Sequence, residues 1–172
     1  MSKVPIIITG FMASGKTTVA RALARALGCQ SIDLDQFIID QTGRSPKEII
    51  EQDGESVFRE VETSLLREAL RLESARVIAL GGGAWTLQQN RDLIAEHGGL
   101  TVWIDAPFEV CWQRIAASGT ERPLAPNREQ AYKLYSQRRA LYELASLSLI
   151  ADGNTDVDGL AATIARAIAG SQ

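Results

Sequence analysis

The chain has 172 residues, enough for one domain with a sizeable core, and its 45% hydrophobic and 23% charged residues are ordinary for a globular protein. A formal net charge of -3 argues against a dominant nucleic-acid surface, and no apolar run approaches the roughly 18 residues of a membrane helix. The start, Met1-Ser2-Lys3-Val4-Pro5, lacks a signal-peptide layout, so a cytoplasmic location is expected.

The first element is a strand over Val4–Thr9, where Ile6-Ile7-Ile8 reads as buried on both faces. It runs into Gly10-Phe11-Met12-Ala13-Ser14-Gly15-Lys16-Thr17, which has the spacing of a phosphate-binding loop: Gly, four residues, then Gly-Lys-Thr. A helix from Thr18 to Leu27 follows, with Val19, Leu23, Ala26 and Leu27 on one face and Gly28 as its left-handed stop. Strand, glycine loop and helix N-terminus together cradle an anion. Lys16 is placed to reach the β- and γ-phosphates, and the Thr17 hydroxyl to hold Mg²⁺.

A second strand is expected over Ser31–Leu34. At its end Asp33-Leu34-Asp35 carries two carboxylates, which period-two alternation would send to one side. One suits Mg²⁺ through water and the other a substrate hydroxyl; the structural alternative is that Asp35 caps a short helix over Gln36–Ile39. Ser45-Pro46-Lys47-Glu48 has capping-box spacing, with Pro at the first helical position. Phe58, Val61, Leu65, Leu66 and Ala69 mark a long helix from about Glu55 to Leu72, followed by a strand over Arg76–Leu80. Gly81-Gly82-Gly83 then allows close approach of backbone to a ligand, beyond what a tight turn needs.

Helices over Asn90–Glu96, Phe108–Ala117, Glu129–Ala145 and Val157–Ile168, with strands over Leu100–Asp105 and Leu147–Ile150, complete the order. Alternation of this kind specifies a parallel sheet covered by helices, with ligands collecting at the carboxyl ends of the strands. Ser118–Arg128, with Gly119, Pro123 and Pro126, is the least regular stretch and reads as a surface loop or lid. Arg122 on it suits closure over phosphates, whereas Arg59 and Arg138 taken alone read equally as surface helix charges. Cys29 and Cys111 are expected as reduced, buried thiols, and His97, the single histidine, as a helix-end cap.

The chain resembles the shikimate kinases, from about Ile6 to Ala145. The matching pieces stand in family order: the phosphate loop, Asp33-x-Asp35, Gly54-Glu55…Phe58-Arg59…Glu62, Gly81-Gly82-Gly83-Ala84, Asn90-Arg91, Arg122-Pro123-Leu124 and Arg138-x-x-x-Tyr142. The loop is common to many kinases; the remainder is far more specific.

The resemblance implies a single domain over residues 1–172. Its fold would be the three-layer α/β/α P-loop kinase fold, with a five-stranded parallel sheet, a substrate-binding helical region around 35–62 and a short lid around 115–127. It implies phosphorylation of the shikimate 3-hydroxyl by ATP, with Mg²⁺, in a monomer that binds neither nucleic acid nor membrane. Ala13, Ser14, Gly15, Lys16, Thr17, Thr18 and Arg122 would bind ATP, and Thr17 and, through water, Asp33 would serve the metal. Asp35, Arg59, Gly81, Gly82, Gly83 and Arg138 would bind the acceptor, with Lys16, Asp35 and Arg122 carrying the chemistry. The chain departs from the pattern at Ala13, where a glycine is usual, and at Ile50 and Trp85, which could reshape the acceptor site. Those two positions keep another small hydroxy acid or polyol, such as gluconate, in view as acceptor. A nucleotide-binding domain without catalysis is the third reading, and the presence of Lys16, Asp35 and Arg122 argues against it.

Overall fold

The structure, a computed structural model, describes residues 4–119 and 123–170. Five strands among them, β1 (Ile6–Thr9), β2 (Gln30–Asp33), β3 (Ala75–Ala79), β4 (Leu100–Asp105) and β5 (Leu147–Ile150), form one parallel sheet in the order β2-β3-β1-β4-β5. The chain moves outward from β1 to one edge and later returns to its other side at β4. The carboxyl end of β1 is therefore a switch point where the loops diverge and leave a crevice.

Strand alternation divides the core into two layers. Ile6 and Ile8 of β1, Val77 and Ala79 of β3, and Val102 and Ile104 of β4 point to one face. There they meet Val19, Ala20 and Leu23 of α1 (Lys16–Leu27) and Ala161, Ile164 and Ile168 of the last helix, Val157–Ala169. Ile7, Ile78 and Trp103 point to the other face, under α2 (Leu34–Thr42), α3 (Pro46–Asp53), α4 (Glu55–Arg71), α5 (Gln88–Glu96), α6 (Phe108–Ser118) and α7 (Arg128–Tyr142). The last helix is α8. Burial of both faces explains why the central strands β1, β3 and β4 are mostly apolar, whereas the edge strands β2 and β5 carry polar residues and are partly exposed.

Local signals set the helix ends. Gly28 closes α1 in the left-handed region, its N–H reaching the carbonyls of Ala24 and Arg25. Ser45 and Glu48 form the reciprocal capping box of α3, the Ser45 N–H donating to Glu48 at 2.7 Å and the Glu48 N–H to the Ser45 hydroxyl at 3.2 Å. The helix after β2 begins earlier than the Asp35 alternative allows. Asp33 is its N-cap, extended at φ -93°, and accepts from the Gln36 N–H at 3.2 Å. Asp33 thus ends a strand and Asp35 lies in the first helical turn, so strand alternation does not relate them.

His97 caps α5, its Nδ1–H donating to the Leu93 carbonyl at 2.8 Å. Both cysteines are free thiols; Cys111 is buried and Cys29 half-buried. Burial pushes the Cys111 thiol up to about 11, so it is not a nucleophile at neutral pH. No helix among the described residues is long and apolar enough to cross a membrane.

Candidate active site

The phosphate loop bridges β1 and α1 at the switch point. Gly10 has φ 145°, and a Cβ there would stand 2.7 Å from the Ile104 carbonyl oxygen, so no other residue fits. Ala13 holds φ 59°, the single non-glycine residue in the left-handed region among the described residues. The loop therefore keeps the backbone bend that a glycine would give, at a cost of about 1–2 kcal/mol. Gly15, at φ 102°, opens α1.

Lys16 is 8% exposed, and its Nζ donates to the Phe11 carbonyl at 2.7 Å, folding the side chain back over the loop. The Thr17 hydroxyl donates to Asp33, joining the start of α1 to the end of β2. Arg114 comes from α6, and its Nη1 donates to the Ala13 carbonyl at 3.0 Å. A cleft of about 290 Å³ opens between these groups, lined among others by Lys16, Thr17, Asp33, Asp35, Gly81 and Gly82.

The triple glycine lies beside the phosphate loop. A Cβ on Gly81 would stand 2.7 Å from Asp35 Oδ1, one on Gly82 3.3 Å from the Met12 N, and one on Gly83 2.8 Å from Arg59 Nη1. All three glycines therefore make room for neighbours. Arg59 projects from α4, where Glu62 accepts its Nη1–H at 2.7 Å and Glu55 its Nη2–H at 3.2 Å. Burial works to lower its pKa, but Glu62 and Glu55 outweigh it and raise the value.

Arg138 projects from α7, is 8% exposed, and lies against Gly82 and Tyr142. Burial, reinforced by Arg59, lowers its pKa. Among the described residues no carboxylate forms an ion pair with it. Two guanidinium groups from different helices thus face one glycine loop, an arrangement that suits an anionic ligand.

Glu62 is 1% exposed, and its second oxygen, Oε1, lacks a hydrogen-bond partner among the described residues. Burial pushes its pKa up to about 7, opposed by Arg59 and reinforced by Asp35. The glycine loop is tied from behind. The Tyr142 hydroxyl donates to the Gly82 carbonyl, the Asn90 amide to Ala84 at 2.9 Å, and the Arg91 guanidinium to Trp85 at 2.7 Å.

The chain has counterparts among known proteins. A model of the shikimate kinase family matches residues 12–169. The chain belongs to the shikimate kinase family. The shikimate kinase of Ruegeria pomeroyi is 39% identical over 95% of this chain and 84% of its own. That of Geobacter sulfurreducens is 40% identical over 89% and 84%. A solved shikimate kinase from Acinetobacter baumannii, in complex with shikimate, superposes with a TM-score of 0.88 at 33% identity, covering 99% of this chain and 96% of that one. The fold is accordingly the three-layer α/β/α P-loop kinase fold of shikimate kinases, and the chain is a phosphotransferase.

Within that family frame, the structure brings Lys16, Thr17, Asp33, Asp35, Gly81 and Gly82 into one cleft, with Arg59 and Arg138 against its glycine wall. Ser14 is buried in the loop, whereas Thr18 is exposed on α1. Arg122 lies outside the described residues. Trp85 is 4% exposed, and its indole N–H donates to the Leu141 carbonyl at 2.7 Å, so it braces the loop against α7. Ile50 packs half-buried against the core beside α4. Sequence reasoning gave Glu62 no role of its own; an acid one turn after Arg59 was the available signal. The family resemblance offers Arg114 as an ATP-contacting arginine before the lid, and it reaches a loop carbonyl 101 residues away in sequence.

Proposed function

We propose that this cleft transfers the γ-phosphoryl group of ATP to the 3-hydroxyl of shikimate. The observation that carries the proposal is the convergence of Arg59 and Arg138 on the Gly82–Gly83 backbone, beside the cleft that Lys16 lines. Shikimate is a small ring with one carboxylate and three hydroxyls. The two arginines receive the carboxylate with charge-assisted hydrogen bonds, and the bare glycine backbone lets the ring lie close. Asp35 then faces the hydroxyls and orients the attacking oxygen, accepting its hydrogen bond or its proton.

ATP lies along the phosphate loop. The backbone N–H groups of Ala13 to Thr18 and the N-terminus of α1 meet its phosphates. Lys16 swings from the Phe11 carbonyl to the β/γ bridge, where it offsets charge on the transferring group. Arg122, which lies outside the described residues, would supply further positive charge to the phosphates.

Thr17 and Asp33 offer a hydroxyl and a carboxylate at one point of the cleft. No group of three or more metal-binding side chains occurs among the described residues. Two oxygen donors fit Mg²⁺, which keeps several waters and takes its remaining ligands from phosphates. Thr17 would hold it directly and Asp33 through water. When bound, Mg²⁺ neutralises charge on the β- and γ-phosphates. The protein is proposed to act as a monomer in the cytoplasm, with ATP and shikimate as its partners.

An assay coupling ADP release to a reporter, with ATP, Mg²⁺ and shikimate, tests the reading. Shikimate-dependent ADP release with formation of shikimate 3-phosphate is expected. Folded protein that ignores shikimate while phosphorylating gluconate or another polyol overturns it.

A further inference from the structure

Arg138 and Arg139 are consecutive on α7, yet they address different walls. One residue is about 100° of helix, so a rigid α7 that turns Arg138 toward the glycine loop turns Arg139 toward the end of β4. There Arg139 makes a two-pronged ion pair with Asp105, Nη1 to Oδ1 at 2.7 Å and Nη2 to Oδ2 at 2.8 Å. Its guanidinium lies 4.9 Å from the centre of the Trp103 ring. Tyr135, one turn earlier, accepts from Arg139 at 3.0 Å and donates to the Ala106 carbonyl at 3.1 Å. Asp105 and Ala106, adjacent at the end of β4, are therefore gripped by two residues one helical turn apart.

The end of α7 is also tied to the glycine loop. Trp85 donates to the Leu141 carbonyl and Tyr142 to the Gly82 carbonyl. Trp103, beneath Arg139, stacks on Tyr142 at 6.1 Å between ring centres. The final turn of α7 is thereby fixed against the ends of two strands, β4 and β3, with Arg138 between the attachments.

We propose that the Arg139–Asp105 pair is a positioning clamp that sets the roll of α7 and so fixes where the Arg138 guanidinium meets the carboxylate of the acceptor. This rests on the acceptor reading of Arg138 given above. The lever is short: at a radius of about 5–6 Å, a roll of about 10° moves a side chain by about 1 Å. A displacement of that size at a substrate-orienting group can cost about a hundredfold. Half-exposed ion pairs usually contribute little, but a forked geometry stacked on an aromatic ring is the favourable exception.

Steady-state kinetics with a double-mutant cycle test the clamp. Arg139→Ala is expected to raise the KM for shikimate about tenfold, change kcat by less than about threefold, and leave the KM for ATP unaltered. Arg139→Lys, which keeps the charge but loses the fork, falls between, and Asp105→Asn follows the alanine variant. In an Arg138→Ala background the further Arg139→Ala change adds little, because the effect passes through Arg138. Additive losses in the two backgrounds, or a parallel rise in the KM for ATP, overturn the clamp. An Arg138→Ala variant that keeps the shikimate KM overturns instead the acceptor reading on which the clamp rests. Should Arg139→Ala fail to fold, Arg139→Lys and Asp105→Asn carry the same cycle.

Discussion

Lys16 and Asp35 line one cleft, and their opposite charges suit them to the donor and the acceptor respectively. Lys16→Ala is expected to lower kcat by about 10²–10³-fold, as loss of a transition-state charge partner does. Asp35→Ala is expected to lower turnover by about 10²–10⁴-fold while nucleotide affinity, read by calorimetry, stays near that of the parent protein. An Asp35 variant that turns over shikimate normally would remove Asp35 from the acceptor site. Glu62 adds a pH dependence to the same site. It faces Arg59, Asp35 and Arg138, and burial holds its pKa near 7, above the ordinary 4.5. Between those values the folded protein binds more protons than the unfolded chain, so stability from this group is full below about 4.5 and is lost as pH rises through 7. Glu62→Gln removes that titration. The fall in Tm between pH 5 and 8, measured by scanning calorimetry, is expected to be smaller in the variant; an unchanged fall would place Glu62 among ordinary carboxylates.

At the scale of elements, α3 and α4 form the wall that carries Arg59, and the entry of α3 depends on its capping box. Ser45→Ala removes one half of that box and is expected to cost about 1 kcal/mol in urea unfolding, with little change in kcat. How far elements could be read from the sequence follows from the kind of signal each carries. The bounds of β4 and β5 agree with the apolar runs, and Gly28, Ser45 and Glu48 act where local chemistry puts them. The start of α2 was ambiguous because Asp33 and Asp35 are equally good caps, and only the packing of Leu34 into the core selects Asp33. The phosphate loop was legible because its function resides in contiguous backbone. Arg59 and Arg138 were not legible by themselves, since 79 positions of chain separate them and an arginine on a helix usually faces water. Only the family pattern marked them in advance. Trp85 stands where a smaller residue is usual in the family, and its indole reaches the Leu141 carbonyl, a partner 56 positions away that no local pattern announces.

For the molecule as a whole, the sheet separates two layers that bear unequally on function. The layer containing α2 to α7 supplies Asp35, Arg59, Arg114 and Arg138, so its packing and its site cannot be altered independently. The opposite layer, closed by α8, contributes the phosphate loop only through the N-terminus of α1. Ile164 of α8 is fully buried there among Ile6, Ile8, Leu23 and Val102. Ile164→Ala is expected to destabilise the fold by about 2–5 kcal/mol, from lost burial and the cavity left behind. In a domain of this size that lowers Tm by roughly 4–20 °C. Because α8 carries no residue of the cleft, both KM values at 25 °C are expected to remain those of the parent protein, with activity lost only where the variant unfolds. A rise in the KM for ATP well below its Tm would instead show that α8 packing holds α1, and with it Lys16, in register with the loop. Both ligands would also raise the Tm of the variant, by about 2.7 kcal/mol of added stability for each ligand present at a hundred times its Kd where the sites are independent. A variant with lowered stability but that full increment has kept its site intact; a smaller increment places the damage in the cleft.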